Sequence, residues 1–211
     1  LFRSCNYVFL FDKTCYETFA REGIPTVYYL PLCANTGRLS QMQLSDQQAS
    51  ILHSDVSFVG SLYNEDHNLL DRMTDLDDYT KGYLDAIMNA QQKVNGYFFV
   101  EEVLTPSIVD AMKRSLEYKP IPGGTETPAY VYANFFLARK ITALERQRLL
   151  YAVSKAFQTK LYTHQPTPSL PHIQNMGAVD YYEVMPHVFK QSKINLNITL
   201  RSIQSGMPLR A

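Results

Sequence analysis

Four short stretches place small or polar residues at the ends of apolar runs: Gly60–Ser61, Thr163–His164, Met176–Gly177, and the segment from Thr199 to Gly206, which carries Arg201, Ser202 and Ser205. In an open α/β sheet, ligands bind off the carboxyl ends of the strands, and a glycine there lets a ligand approach the backbone. The plainer alternative for Gly60 and Gly177 is a tight turn. Ser202, Ser205 and Gly206 fall where a helix would open after Thr199, and helix-start amides suit a phosphate. The stretch is not a Walker loop, and the chain has no GxGxxG. Arg139 and Lys140 precede Thr142-x-x-Glu145, which has the form of a capping box. Two cations beside a helix start could clamp a diphosphate, or could be a solvated face. Arg201 and Arg210 are the other cations available for that clamp.

Other chemistries have thinner support. "DLDD" (75–78) contains a DxD, and aspartate pairs can hold a divalent ion. It opens an amphipathic stretch, where acids suit the helix dipole, so a helix start is the better reading. The 5 histidines, His53, His67, His164, His172 and His187, show no ligand spacing, and His164 alone sits at an expected strand end. The 3 cysteines, Cys5, Cys15 and Cys33, are odd in number and have no metal spacing. They read as thiols in a reducing, cytoplasmic setting.

The bulk properties narrow the class. Lys+Arg and Asp+Glu are balanced at 20 each, which argues against a nucleic-acid binder held by phosphate contacts. It leaves room for a small phosphorylated ligand. No run reaches the ~20 apolar residues needed to span a bilayer, and no signal peptide is visible. The chain opens without Met and runs almost at once into a strand, as a chain cut inside a domain would.

The elements that must position these residues alternate strand and helix. "YVFLFD" reads as a buried strand, with Asp12 capping "KTCYETFAREG" and Gly23 stopping it; "TVYYLPL" is the return strand. Residues 34–54 are polar and mostly aperiodic, and are the expected linker. A third strand runs over 55–63. Leu76, Tyr79, Tyr83, Ile87, Ala90 and Val94 recur at helical spacing behind Asp75 as cap. Thr105-Pro106 and Thr127-Pro128 are helix starts. A further helix from Thr142 turns Leu149, Leu150 and Val153 inward. Strands follow at 160–164, 173–177 and 194–199, with a helix starting afresh at Pro186. The expected class is α/β with parallel sheets.

The stretches "NYVFLFDKTCYETFAREGIPTVYYLPLCANTGRL", "DVSFVGSLYNEDHNLLDR", "DYTKGYLDAIMNAQ", "YVYANFFLARKITALER" and "NMGAVDYYEVMPHVFKQSKINLNITLRSIQSGMPLRA" carry a resemblance across nearly the whole chain. It resembles bacterial, uncharacterised glycosyltransferases of the spore-maturation type, with a group-one C-terminal region. The resemblance implies a GT-B architecture of two Rossmann-like domains. Residues 1–34 would end the acceptor-side domain, 35–54 would link, and 55–211 would form part of the nucleotide-sugar domain, with a helical insertion at about 64–138. It implies sugar transfer from a nucleoside-diphosphate sugar to an unknown acceptor without metal or other cofactor. It places Gly60 after the first donor-domain strand and Arg139–Lys140 near the diphosphate. Members continue past Ala211 with an acidic residue and a Gly-rich segment. The resemblance therefore implies that the chain stops inside the donor site and is inactive alone. The rivals are a non-catalytic partner-binding protein on the same fold, using the aromatics of the insertion, and a metal-dependent GT-A enzyme, which needs "DLDD" on a loop at a strand end.

Overall fold

The computed structural model describes residues 3–64, 68–118 and 126–205. Val8–Leu10 (β1), Lys13–Arg21 (α1) and Val27–Tyr29 (β2) form the expected strand–helix–strand unit, the strands parallel with Val8 opposite Val27. Asp12 caps α1 by accepting from the Thr14 and Cys15 amides. Gly23, at φ 72°, ends it: its amide reaches Ala20 O and the Ile24 amide reaches Phe19 O, the paired bonds of a Schellman turn. Tyr7 and Phe9 lie against Tyr28, at ring-centroid separations of 5.9 and 5.6 Å, on an exposed side of this two-stranded sheet.

The stretch that reads as aperiodic holds two short helices, Thr36–Gln41 (α2) and Asp46–Leu52 (α3). Neither buries a residue, so no apolar stripe marks them. Their caps make them: Asn35 accepts from the Arg38 amide, and Ser45 with Gln48 completes a capping box.

The second sheet runs β5-β4-β3-β6 and is parallel throughout. Its strands are Ser54–Val59 (β3), Thr159–Tyr162 (β4), Gln174–Asn175 (β5) and Ser192–Asn195 (β6). The last strand starts and ends earlier than its apolar residues suggest. Asn195 pairs with Ser57, and residues 196–205 continue as turns and irregular chain past the end of β3. A helix at Met185–Gln191 (α9), with Pro186 in its first turn, carries the chain from β5 to β6.

Between β3 and β4 lies a helical layer. It contains Asp78–Gln91 (α4), Val100–Val103 (α5), Pro106–Ser115 (α6) and Pro128–Val131 (α7). Thr105 and Thr127 cap α6 and α7 as expected. The cap of α4 is Asp77; Asp75 instead accepts from the Ser115 hydroxyl. The buried face of α4 is Thr80, Leu84, Ile87, Met88 and Gln91, whereas Tyr79 is 73% exposed. Of the expected stripe, Ile87 is buried and Tyr83 packs against the layer's core with its hydroxyl donating to Val103 O, whereas Tyr79 and Ala90 face outward. α7 continues without a break through a π-helical stretch, Tyr132–Leu137, into Ala138–Ser154 (α8). No helix starts at Thr142: that residue is buried inside the rod and donates to Ala138 O at 2.7 Å. The layer has its own apolar core around Met112, Tyr132, Phe136 and Ile141. The sheet has a smaller one around Phe58, Leu150 and Leu161. The rod from 128 to 154 contributes to both.

Candidate functional site

Because β3 to β6 are parallel neighbours, their carboxyl ends share one edge. Gly60–Ser61, His164, Met176–Gly177 and the segment after β6 therefore come together there. Gly60 has φ 150° and Gly177 φ 80°, conformations that L side chains rarely adopt. A Cβ on Gly177 would meet nothing within 4 Å, so its φ and not crowding calls for glycine. Gly60 donates to Tyr162 O at 3.1 Å, and Met176 to Leu161 O at 2.9 Å, extending the ladder to the rim. Tyr63 holds φ 56°, an uncommon left-handed value for a bulky residue. Its amide donates to Ser61 Oγ at 3.0 Å and its carbonyl accepts from Asn68 at 3.2 Å.

Two groups that the sequence reading misses organise this rim. Arg146, on α8, is 1% exposed. Its Nε donates to Ile198 O at 3.0 Å, Nη2 to the same carbonyl, and Nη1 to Ser61 O. Its guanidinium lies over the Tyr63 and Phe58 rings at 4.5 and 5.2 Å. One side chain thus joins the loop after β3 to the loop after β6. The second group is Gln165, 4% exposed, whose Oε1 accepts from the Leu62 amide and pairs with Ser61 Oγ at 3.1 Å. Its Nε2 has no hydrogen-bond partner among the described residues, and such buried donors are rare in folded proteins. Arg146 left one trace in the sequence: a charge four residues before Leu150, within an inward stripe. Gln165 left none.

The expected cations separate. Arg139 is exposed and lies over Tyr63 at 5.9 Å, which brings it to the loop after β3. Lys140 pairs with Asp71 at 2.7 Å. Neither stands beside free helix-start amides, because both lie within a continuous rod whose amides bond along the helix. Arg201 turns away from a clamp role: its Nε bonds Glu145 Oε2 at 2.8 Å, its Nη2 bonds Glu145 Oε1, and Nη1 bonds Asn95 Oδ1 at 2.9 Å. Its amide donates to Thr142 Oγ1 at 3.1 Å. The Thr142-x-x-Glu145 pair is therefore an anchor for Arg201 and not a cap.

Beyond β6 the helix that was to receive phosphate is replaced, over the described residues, by turns. Ser202 sits in the first of these. Ser205 Oγ donates to Asp12 Oδ1 at 2.6 Å and accepts from Thr14 N and Oγ1 at 2.9 and 3.0 Å. The Gln204 amide donates to Asp12 Oδ2 at 2.9 Å. Burial would raise the Asp12 carboxyl, but bonds from the Ser205 hydroxyl and the Gln204, Cys15 and Ser205 amides outweigh it and hold its pKa below the ordinary value. Gly206 and Arg210 lie outside the described residues.

A cavity of about 240 Å³ opens off the end of β6, between Asn197–Gln204 and the turn Asn95–Tyr97 at the end of α4, with Glu145 and Leu149 of α8 as its floor. Among the described residues no cluster of His, Cys, Asp and Glu is arranged to hold a metal. "DLDD" stands at the start of α4, with Asp77 as cap, and not at a strand end. That removes the geometry a GT-A reading needs. Among the described residues no helix is long and apolar enough to cross a membrane. In comparisons with known proteins, no family model, curated protein or solved structure matches the chain.

Proposed function

We propose that this chain is the donor-binding part of a glycosyltransferase, which seats a nucleoside-diphosphate sugar along the carboxyl edge of β3 to β6 for transfer to an acceptor. One observation carries the reading. Four parallel strand ends meet at one rim, two of them at positive-φ glycines, beside a left-handed Tyr63, an exposed Arg139 and a buried amide donor on Gln165. Such a rim is where α/β sheets bind ligands, and strained backbone clusters at such places. The diphosphate would lie at the Gly60–Tyr63 loop, where Arg139 meets its charge as it leaves. The rival reading, a partner-binding protein, keeps only part of the insertion's aromatics: Phe98, Tyr132 and Phe136 are spent on the insertion's own core, while Tyr79, Tyr97 and Phe135 stay exposed.

The test is calorimetric titration of the chain with nucleoside diphosphates and their sugar conjugates. A member of the panel is expected to bind. Arg139→Ala should weaken it roughly ten- to hundredfold, since a charge-assisted bond contributes about 1.5–3 kcal/mol. Arg148→Ala, on the same helix, should leave it unchanged. No binding by any member at millimolar concentration ends the proposal. Equal, small effects of the two substitutions would remove Arg139 from it.

A further inference from the structure

The cavity beside β6 differs in character from the glycine rim. At about 240 Å³ it is smaller than the ~300–1,000 Å³ typical of pockets that enclose a whole drug-sized ligand. It fits one ring system, not a nucleotide sugar. Its two charged groups, Glu145 and Arg201, neutralise each other through paired bonds, so it offers a phosphate no surplus cation. Its walls are aliphatic where Leu149 and Ile203 contribute, and amide-bearing where Asn95 and Asn197 do. Tyr97 stands on its lip, 51% exposed, with its hydroxyl fixed by Glu102. A slot of no net charge, lined more by polar than by apolar surface and flanked by an anchored aromatic ring, suits a flat heterocycle that hydrogen-bonds at its edges.

We propose that this cavity seats the uncharged base of the nucleotide, and that the insertion's Asn95–Tyr97 turn decides which base is accepted. The inference rests on the donor-site reading above and deepens it. The spacing agrees with one extended ligand: Arg146 donates to Ile198 O on the cavity wall and to Ser61 O on the diphosphate loop, so the two subsites are one side chain apart. Arg201 is a positioning residue here. Bonded to Glu145 and to Asn95 Oδ1, it holds the insertion's turn against the loop after β6. The role of the helical insertion follows: it completes the donor pocket from outside the sheet.

The experiment titrates the chain with adenosine, guanosine, cytidine and uridine, with their 5′-diphosphates, and with inorganic pyrophosphate, at about 50 and about 300 mM salt, a range over which exposed charge interactions are increasingly screened. One nucleoside should bind, with an affinity that salt changes by less than about twofold, whereas pyrophosphate should weaken with salt. Leu149→Trp, which fills the cavity from a part-exposed helix position, should weaken that nucleoside at least about tenfold. It should leave pyrophosphate binding unchanged. Ile203→Trp plugs the cavity from the facing loop and serves if the first variant melts early. A diphosphate that binds wild type and both plugged variants equally overturns the base subsite while the donor site stands. Nucleoside binding that falls steeply with salt overturns it as well. Wild type that binds no diphosphate and no nucleoside overturns both readings. Nucleoside binding lost in the plugged variants, with no diphosphate bound, keeps the subsite and overturns the donor reading.

Discussion

The helical layer and the strand-end rim are built on opposite principles, although they share the rod from 128 to 154. The layer is held by apolar packing: Met112, Tyr132, Phe136 and Ile141 are nearly or fully buried among other hydrophobic side chains. The rim is held by buried polar bonds: Arg146 to two carbonyls, Gln165 to a loop amide, Glu145 to Arg201. Apolar burial is non-directional, and its contribution scales with the area removed from water. Polar bonds in a buried setting fix position and penalise any lost partner. The layer therefore supplies stability, and the rim supplies geometry. Substitutions in the two regions should separate these effects.

The largest change is expected in the layer. Phe136, 4% exposed, meets Tyr132 edge-on at 5.0 Å. Phe136→Ala should cost about 3–5 kcal/mol in urea unfolding, while ligand affinity of the remaining folded fraction stays near wild type. A loss of affinity at full folding would break the comparison. Next is Arg146→Met, which keeps volume but strands the carbonyls of Ser61 and Ile198, at about 2–4 kcal/mol. Here binding should fall together with stability, because both loops lose their common tie. Retained affinity would show that the rim does not depend on Arg146.

Glu145 and Arg201 come third. Their side chains are 12% and 15% exposed, so losing one partner should cost less than the ~3–5 kcal/mol of a fully buried pair, about 1–3 kcal/mol. Glu145→Gln and Arg201→Met together should cost less than the sum of the single changes. Additive costs would mean the two do not act as a pair.

Much of the layer and the positions of the strands were legible in the sequence, because caps and short apolar runs are local signals. Asp12, Thr105-Pro106, Thr127-Pro128 and the restart at Pro186 all stand where their types require. The gathering of Gly60, His164 and Gly177 on one edge followed from reading parallel strands. What failed was non-local. Thr142 and Glu145 have the spacing of a capping box, but that spacing also puts two side chains on one helix face, and both meet Arg201, more than fifty residues away. The buried stripe at α4 was read in part: Leu76, Ile87 and the packed Tyr83 belong to it, but Tyr79 and Val94 are exposed, and Leu84 and Met88 are buried in their stead because packing partners chose the neighbouring stripe. Of the rim's organisers, Arg146 showed only as a charge within an inward stripe and Gln165 not at all, since the partners that define their roles are backbone groups in distant loops.

The smallest effect tests where the rim's last loop is anchored. Asp12 serves two ends at once: it caps α1 and receives Gln204 and Ser205 from beyond β6. Asn caps a helix about as well as Asp, so Asp12→Asn keeps the first role. Its amide cannot accept from Gln204 and Ser205 as a carboxylate does, and the change should cost about 1 kcal/mol. Asp12→Ala loses both roles and should cost about 1–2 kcal/mol. The pH dependence gives the sign. The folded carboxyl titrates below its ordinary value, so its contribution is present above the unfolded value of about 3.9 and is lost as pH falls through the folded one. The gap in stability between wild type and Asp12→Asn should therefore be constant above about pH 5 and close in more acidic solution. Chemical unfolding of both proteins across that range measures it. A gap that widens towards acid would mean that the carboxylate is not what holds Gln204 and Ser205 to the start of α1.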